Sequence, residues 1–284
     1  MGRRVTERQV RVGLGVIAVA TAILAVLFAF QVQAVLWIWP YTGRTAMSNI
    51  FIASVFLAAA GSVGWCLWVR SDRGLSGVAL DTLAIFIPVA IVSFGAALGG
   101  NPLGFGAFGV VAIVAVLGGA WLLRWSLGHP WRDPRPMPRL VRVSFAIFVV
   151  ALVIVAALLI AGVPKVLPWK VTPQLSTLYG CMFLGASVYF LYGVLVPRWE
   201  NAGGQLMGFL AYDLVLILPL GKELLFPGPK SIYDDSTGDP LRLNLVLYTL
   251  VIVYSGALAI WYLVIKRDTR PWVKAPEAPA DPLS

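Results

Sequence analysis

Asp213 is the residue in this sequence best placed to do chemistry. It follows Tyr212 inside an apolar run, Gly204–Phe226, about nine residues and roughly 13 Å from its start at 1.5 Å per residue. A carboxylate at that depth in hydrocarbon costs on the order of 3 kcal/mol, so it must face protein or a cavity. Three fates are open to it. It holds a proton, it pairs with a cation such as Arg198, or it accepts hydrogen bonds from Tyr, Ser or Asn on other helices. The first two would suit proton- or cation-coupled transport. The third is a structural contact, the commoner use of such a residue.

Asp81 lies in a second apolar run, Leu75–Leu98, closer to the start of that run. Arg70 and Arg73 precede it, and the first turns of a helix favour an anion. Each aspartate is followed by a proline, Pro88 after seven residues and Pro219 after six. A proline inside a helix frees a carbonyl and bends the axis. Together Asp213, Tyr212, Asp81 and Arg198 form the candidate functional set. Gln31, Gln33, Ser48 and Asn49 add polar groups that either line a shallow cavity or bond between helices.

Other chemistries lack their residues. His129 is the only histidine, so no histidine pair exists to hold haem and no His/Cys cluster to hold zinc or copper. There is no phosphate-binding G-x-x-x-x-G-K-[ST] loop, no Ser–His pairing and no H-E-x-x-H. The sequence therefore implies no cofactor, no metal and no catalytic residue. Asp234, Asp235 and Asp239 cluster in one connection, but without the alternating ligands, glycine and distal glutamate of a calcium loop.

The elements that must position these residues are membrane helices. The 284-residue chain is 59% hydrophobic and 12% charged, about half the charged fraction of soluble domains. Eight stretches reach the ~18–20 apolar residues needed to cross a bilayer: Val12–Trp39, Thr45–Val69, Leu75–Leu98, Phe105–Trp125, Val141–Val163, Gln174–Val196, Gly204–Phe226 and Leu243–Ile265. Lipid cannot satisfy a backbone, so the spans must be helical, and the expected fold is an all-α polytopic membrane protein with eight transmembrane helices.

The net charge of +9 does not indicate nucleic acid, because it sorts by membrane side. Arg3, Arg4, Arg8 and Arg11, the second, fourth and sixth connections, and the basic residues after Ile265 carry sixteen cations. The other side carries six: Arg44, Lys165, Lys170, Lys222, Lys230 and Arg242. That asymmetry predicts a bacterial-type inner membrane location with both termini cytoplasmic. The same orientation places Cys66 and Cys181 at different depths, too far apart for a disulfide.

An internal echo organises the spans. Trp39–Pro40 closes the first and Pro168–Trp169 follows the fifth; such aromatic residues are expected at the headgroup level. Phe56-Leu57-Ala58-Ala59 answers Phe183-Leu184-Gly185-Ala186. A basic loop, an aspartate and a proline then follow in each half, and Trp121 and Trp261 close the fourth and eighth spans. Two parallel four-helix repeats (4+4) are expected, related by an axis along the membrane normal. The resulting plan is a basic segment 1–11, repeats 12–125 and 141–265, a Pro/Arg-rich linker 126–140, and a disordered tail 266–284. Gly95 with Gly99, and Gly204 with Gly208, have the spacing of close helix packing.

Two functions fit this plan. One is a transporter or binding protein for a small or lipophilic solute, with its site between the repeats near the two aspartates. The other is a non-catalytic subunit of a larger membrane complex. The partners expected are the lipid bilayer and either other membrane subunits or further copies of the chain.

Overall fold

The computed structural model describes residues 6–43, 45–100, 102–133, 135–226 and 240–270. The acidic cluster Asp234, Asp235 and Asp239 and the tail beyond residue 270 lie outside these. Among the described residues the fold is all helical: α1 (Glu7–Ala29), α2 (Gln33–Ile38), α3 (Ala46–Trp68), α4 (Leu75–Leu98), α5 (Pro102–Leu127), α6 (Arg139–Ile160), α7 (Pro173–Leu195), α8 (Trp199–Leu225) and α9 (Pro240–Ile260). A π-helical turn, Trp261–Ile265, extends α9. Eight of these helices are long and apolar enough to cross a membrane; α2 is a short connector.

Two classes of helix emerge. The spans of α3, α4, α7 and α8 are 44–56% buried within the protein, whereas those of α1, α5, α6 and α9 are 17–33% buried. The first four therefore make the interior of the bundle and the other four its periphery. The principal neighbours are α1 with α3, α4 with α5, α6 with α7, and α8 with α9; across the halves α3 packs on α8 and α4 on α7. Exchanging the first four spans for the last four leaves this set of pairs unchanged.

The interior seams close on glycine. A Cβ on Gly185 of α7 would lie 2.2 Å from Ile85 Cγ1 and 2.7 Å from Asp81 Oδ1 of α4. One on Gly203 of α8 would strike the Trp65 ring of α3 at 2.5 Å, and one on Gly208 would meet Ser62 Oγ. Without a hydrophobic drive between helices in lipid, such backbone approach supplies the packing energy. Gly204 and Gly208 thus serve as their spacing suggests. Gly95 does not: a Cβ there meets nothing within 4 Å, and one at Gly99 meets only its own helix.

The first span is broken rather than continuous to Trp39. After α1, Gln31 takes a left-handed conformation (φ 53°), and its N–H and that of Val32 bond back to Phe28 O and Leu27 O. The end of α6 repeats the motif with Gly162 (φ 71°), whose N–H reaches Leu159 O, and Val163, whose N–H reaches Leu158 O. A non-glycine residue in this region carries a steric cost of about 1–2 kcal/mol. Gln31→Gly is therefore expected to stabilise the protein by about 1 kcal/mol, and Gly162→Ala to destabilise it by a similar amount. Thermal unfolding in nanodiscs measures both. A loss of stability in Gln31→Gly would show that the glutamine side chain, and not the backbone, governs this turn.

Beyond both turns, most of the aromatic residues expected at the headgroup level pack against protein. Trp169 and Tyr41 are each 1% exposed, while Trp37 stays outside at 92%. Trp39 packs edge-on against Phe108 of α5 and Phe56 of α3; Trp169 packs against Tyr248 of α9 and Phe51 of α3. Tyr179 of α7 donates to the backbone carbonyl of Ser48 on α3 at 2.6 Å and ties the two helices there, and Ser48 is fully buried.

The residues flanking the other ends of the helices gather at one end of the bundle, here the basic end. Arg11 of α1 pairs with Asp72, His129 lies 3.6 Å from Glu7, Arg135 Nη1 donates to Asp268 O at 2.6 Å, and Met137 N donates to Pro197 O at 2.9 Å. Both the start of α1 and the end of α9 are there. Cys66 and Cys181 are buried free thiols, in keeping with their different depths.

Candidate functional site

The two aspartates occupy different seams. Asp213 is 4% exposed and faces α9, where Ser255 Oγ donates to its Oδ2 at 2.8 Å. A Cβ on Gly256 would sit in ordinary contact with the same oxygen at 3.5 Å. Asp213 Oδ1 has no hydrogen-bond partner among the described residues. Asp81 instead lies in the seam between halves, against Gly185 of α7. Neither aspartate joins an ion pair among the described residues.

The register of the prolines explains the divergence. Pro88 follows Asp81 by seven residues and Pro219 follows Asp213 by six. One residue turns a helix by about 100°. Aligned on proline, the residue matching Asp81 is Tyr212. Tyr212 indeed faces the other half, with its ring 6.0 Å from that of Phe51 on α3, and its hydroxyl bonds that of Tyr248 on α9. Asp213 is turned from that seam onto the peripheral helix α9.

Arg198 is not a partner of Asp213. It forms the N-cap of α8, about 22 Å of helix rise away, and its guanidinium lies 5.5 Å from the centre of the Trp131 ring. Arg73 lies over the same ring at 5.5 Å and also donates to Leu127 O, so it does not pair with Asp81.

The structure adds polar residues that hydropathy hides. Helix α8 begins at Trp199, five residues before the expected Gly204, and so places Glu200, Asn201 and Gln205 within its first two turns. All three are at most 4% exposed. Asn201 Nδ2 reaches Val196 O and Gln205 Nε2 reaches Tyr189 O, which leaves Asn201 Oδ1 and Gln205 Oε1 without partners among the described residues. Asn201 Oδ1 would lie 3.4 Å from a Cβ on Gly77 of α4, and Gln205 Oε1 2.3 Å from one on Gly193 of α7. Across the α3–α8 seam, Trp65 Nε1 is likewise buried and unpaired, while Ser62 Oγ donates to Gly204 O at 3.1 Å. Unpaired buried polar atoms are uncommon and costly. Three of them occur where α3, α4, α7 and α8 converge, with Asp81 one turn beyond Gly77 on α4.

Glu200 shows how an acid is held at the basic end. It occupies the first turn of α8, where the helix dipole favours an anion. Its Oε1 accepts from Ser71 Oγ at 2.6 Å, and its Oε2 accepts from the backbone N–H groups of Arg132 and Asp133 at 2.7 and 2.8 Å. Asp72, 3% exposed, has separate donors: Arg11 Nε at 2.9 Å, with Arg132 Nη2 at 3.6 Å. A carboxylate four residues before the expected span start, in a polar stretch, gives no hydropathy signal; the pair Arg198 and Glu200 around a helix start is the available clue.

No family model matches the chain, and neither a curated protein nor a solved structure matches it.

Proposed function

We propose that this chain is an inner-membrane transporter or binding protein for a small polar solute, with its site between two parallel four-helix repeats and both termini cytoplasmic. The exchange symmetry of the helix pairs supports the repeats. The observation that carries the functional reading is the set of buried, unpartnered polar atoms where the halves meet: Asn201 Oδ1, Gln205 Oε1 and Trp65 Nε1, with Asp81 nearby. A group that costs stability when unpaired is retained most readily where a solute, a proton or water completes it. Two amide oxygens and a carboxylate are acceptors, so the solute class favoured is one rich in donors or positive charge.

Asp213 has a secondary place in this reading. Its Ser255 contact is sufficient as a structural bond, and its free Oδ1 is the feature that supports a coupled proton or cation. The test is flux in proteoliposomes, read with a pH-sensitive dye and with labelled monovalent cations and small amines. Asp81→Asn and Gln205→Leu are expected to lower flux about tenfold or more, while Asp213→Asn alters its proton dependence. Unchanged flux in all three variants overturns the reading. So does an inactive isolated protein that co-purifies with stoichiometric partner chains from native membranes, and the accessory-subunit function would then take its place.

A further inference from the structure

The two halves meet at the basic end through a third element, the linker between α5 and α6. Its prolines, Pro130, Pro134, Pro136 and Pro138, disfavour helix in its sequence. Its attachments tie the two halves together. The backbone N–H groups of Arg132 and Asp133 bond Glu200 in the second half, and the same carboxylate takes Ser71 Oγ from the α3–α4 connection of the first half. The Trp131 ring has a guanidinium from each half on it, Arg73 from the first and Arg198 from the second, both at 5.5 Å. Arg132 reaches Asp72 of the first half at 3.6 Å. Trp199 N donates to Arg135 O at 2.9 Å, and Met137 N to Pro197 O at 2.9 Å, so the linker also pairs as an extended strip with the α7–α8 connection.

We infer that the linker is a latch: Trp131 and the Glu200-bound turn at Arg132–Asp133 hold the α3–α4 and α7–α8 connections together and close the basic end of the bundle over the polar atoms between the halves. What lies beneath fits a closed door. Cys66, Ser71 and Asn201 are each at most 2% exposed although they sit within a turn or two of the helix ends. A Cβ on Gly74 would lie 2.5 Å from Ser71 Oγ, 3.4 Å from Cys66 Sγ and 3.4 Å from Glu200 O, so the α3–α4 connection is pressed directly onto α8. The contacts that hold it are of a kind that can be exchanged for water. They are two cation–π contacts, hydrogen bonds to one carboxylate, the Arg132–Asp72 ion pair and two backbone hydrogen bonds to the α7–α8 connection, and among the described linker residues Met137 is the buried apolar one. That release admits a solute rests on the transport reading; the latch itself does not.

The chain carries its own reporter. Cys66 lies under the latch and Cys181 in the opposite half of α7, and they are the only two cysteines. The experiment is N-ethylmaleimide labelling of the full chain in nanodiscs, each cysteine followed by peptide mass, in the native protein, in Trp131→Ala and in Glu200→Gln. Trp131 is half-buried on the linker, so its loss leaves the helix seams intact. Glu200→Gln keeps the shape and an acceptor but loses the charge. The expected result is a rise of about tenfold in the Cys66 rate in both variants, with Cys181 unchanged. A Cys66 rate equal to the native one in the folded Trp131→Ala protein overturns the latch. So does a parallel rise at Cys181, which would report general loosening. Because no solute is involved, an opened Cys66 in a protein without flux would keep the latch and refute the transport reading.

Discussion

Gly185→Leu is expected to cost about 3 kcal/mol or more, at the upper end of what overpacking a core usually costs. The position lies where α7 crosses α4, and the first atom of any side chain would already be 2.2 Å from Ile85 Cγ1 and 2.7 Å from Asp81 Oδ1. Ile85 Cδ1 is within 2.9 Å as well, and the β-branched Ile85 has one strongly preferred χ1 rotamer in a helix, so moving it aside is costly. The helices must separate, and the α4–α7 seam is one of only two strong contacts between the halves. Gly95→Leu on the same α4 is the control, since nothing lies within 4 Å of its Cβ. It is expected within about 0.5 kcal/mol of the native protein. Thermal unfolding in nanodiscs separates the two. Adding Ile85→Ala to Gly185→Leu should recover part of the loss, because the clash and its relief are local. Equal stabilities for Gly185→Leu and Gly95→Leu would mean that the seam between halves is not closed on Gly185.

The contrast between these two glycines marks where a membrane sequence stops being legible. Length and hydropathy locate eight helices because lipid imposes both. They do not give the rotation of each helix about its axis. In a soluble protein a polar face would reveal it, but here the outward face meets lipid and the inward face meets other apolar helices, so both are written with the same residues. Gly95 and Gly204 have equal claims from spacing, and only Gly204 packs on another helix. The aspartates show the same loss at single-residue resolution. An offset of one residue relative to the following proline sends Asp81 to the seam between halves and Asp213 to α9, although both are an acid six or seven residues before a proline. The register was present in the sequence; what it meant required knowing that the proline, and not the acid, is the fixed point. The burial of the aromatic ends is illegible for a related reason. Trp39 and Trp169 resemble interfacial anchors by position, but the left-handed turns at Gln31 and Gly162 return them to the core, and nothing about Gln31 as a residue type announces such a turn.

Glu200→Ala is the second large effect, and it also follows from a group the hydropathy profile passes over. Removing the carboxylate leaves the buried Ser71 Oγ and the part-buried backbone N–H groups of Arg132 and Asp133 without their acceptor. Hydrogen bonds to a charged group contribute about 1.5–3 kcal/mol each, and a buried donor left unpaired forfeits most of that. Water entering the gap returns part, so a net loss of about 3 kcal/mol is expected for Glu200→Ala. Glu200→Gln should lose only about 1 kcal/mol, because one acceptor remains for the two N–H groups. Ser71→Ala removes a single contact and is expected to cost about 1 kcal/mol alone. In the double variant Glu200→Ala/Ser71→Ala the second change should cost less than it does by itself, since its partner is already gone. Unfolding midpoints of the four proteins in nanodiscs complete the cycle. Strict additivity would assign the two residues to independent roles, and a Glu200→Ala protein as stable as the native one would show that the linker turn is held by the Trp131 contacts and the strip to Pro197 instead.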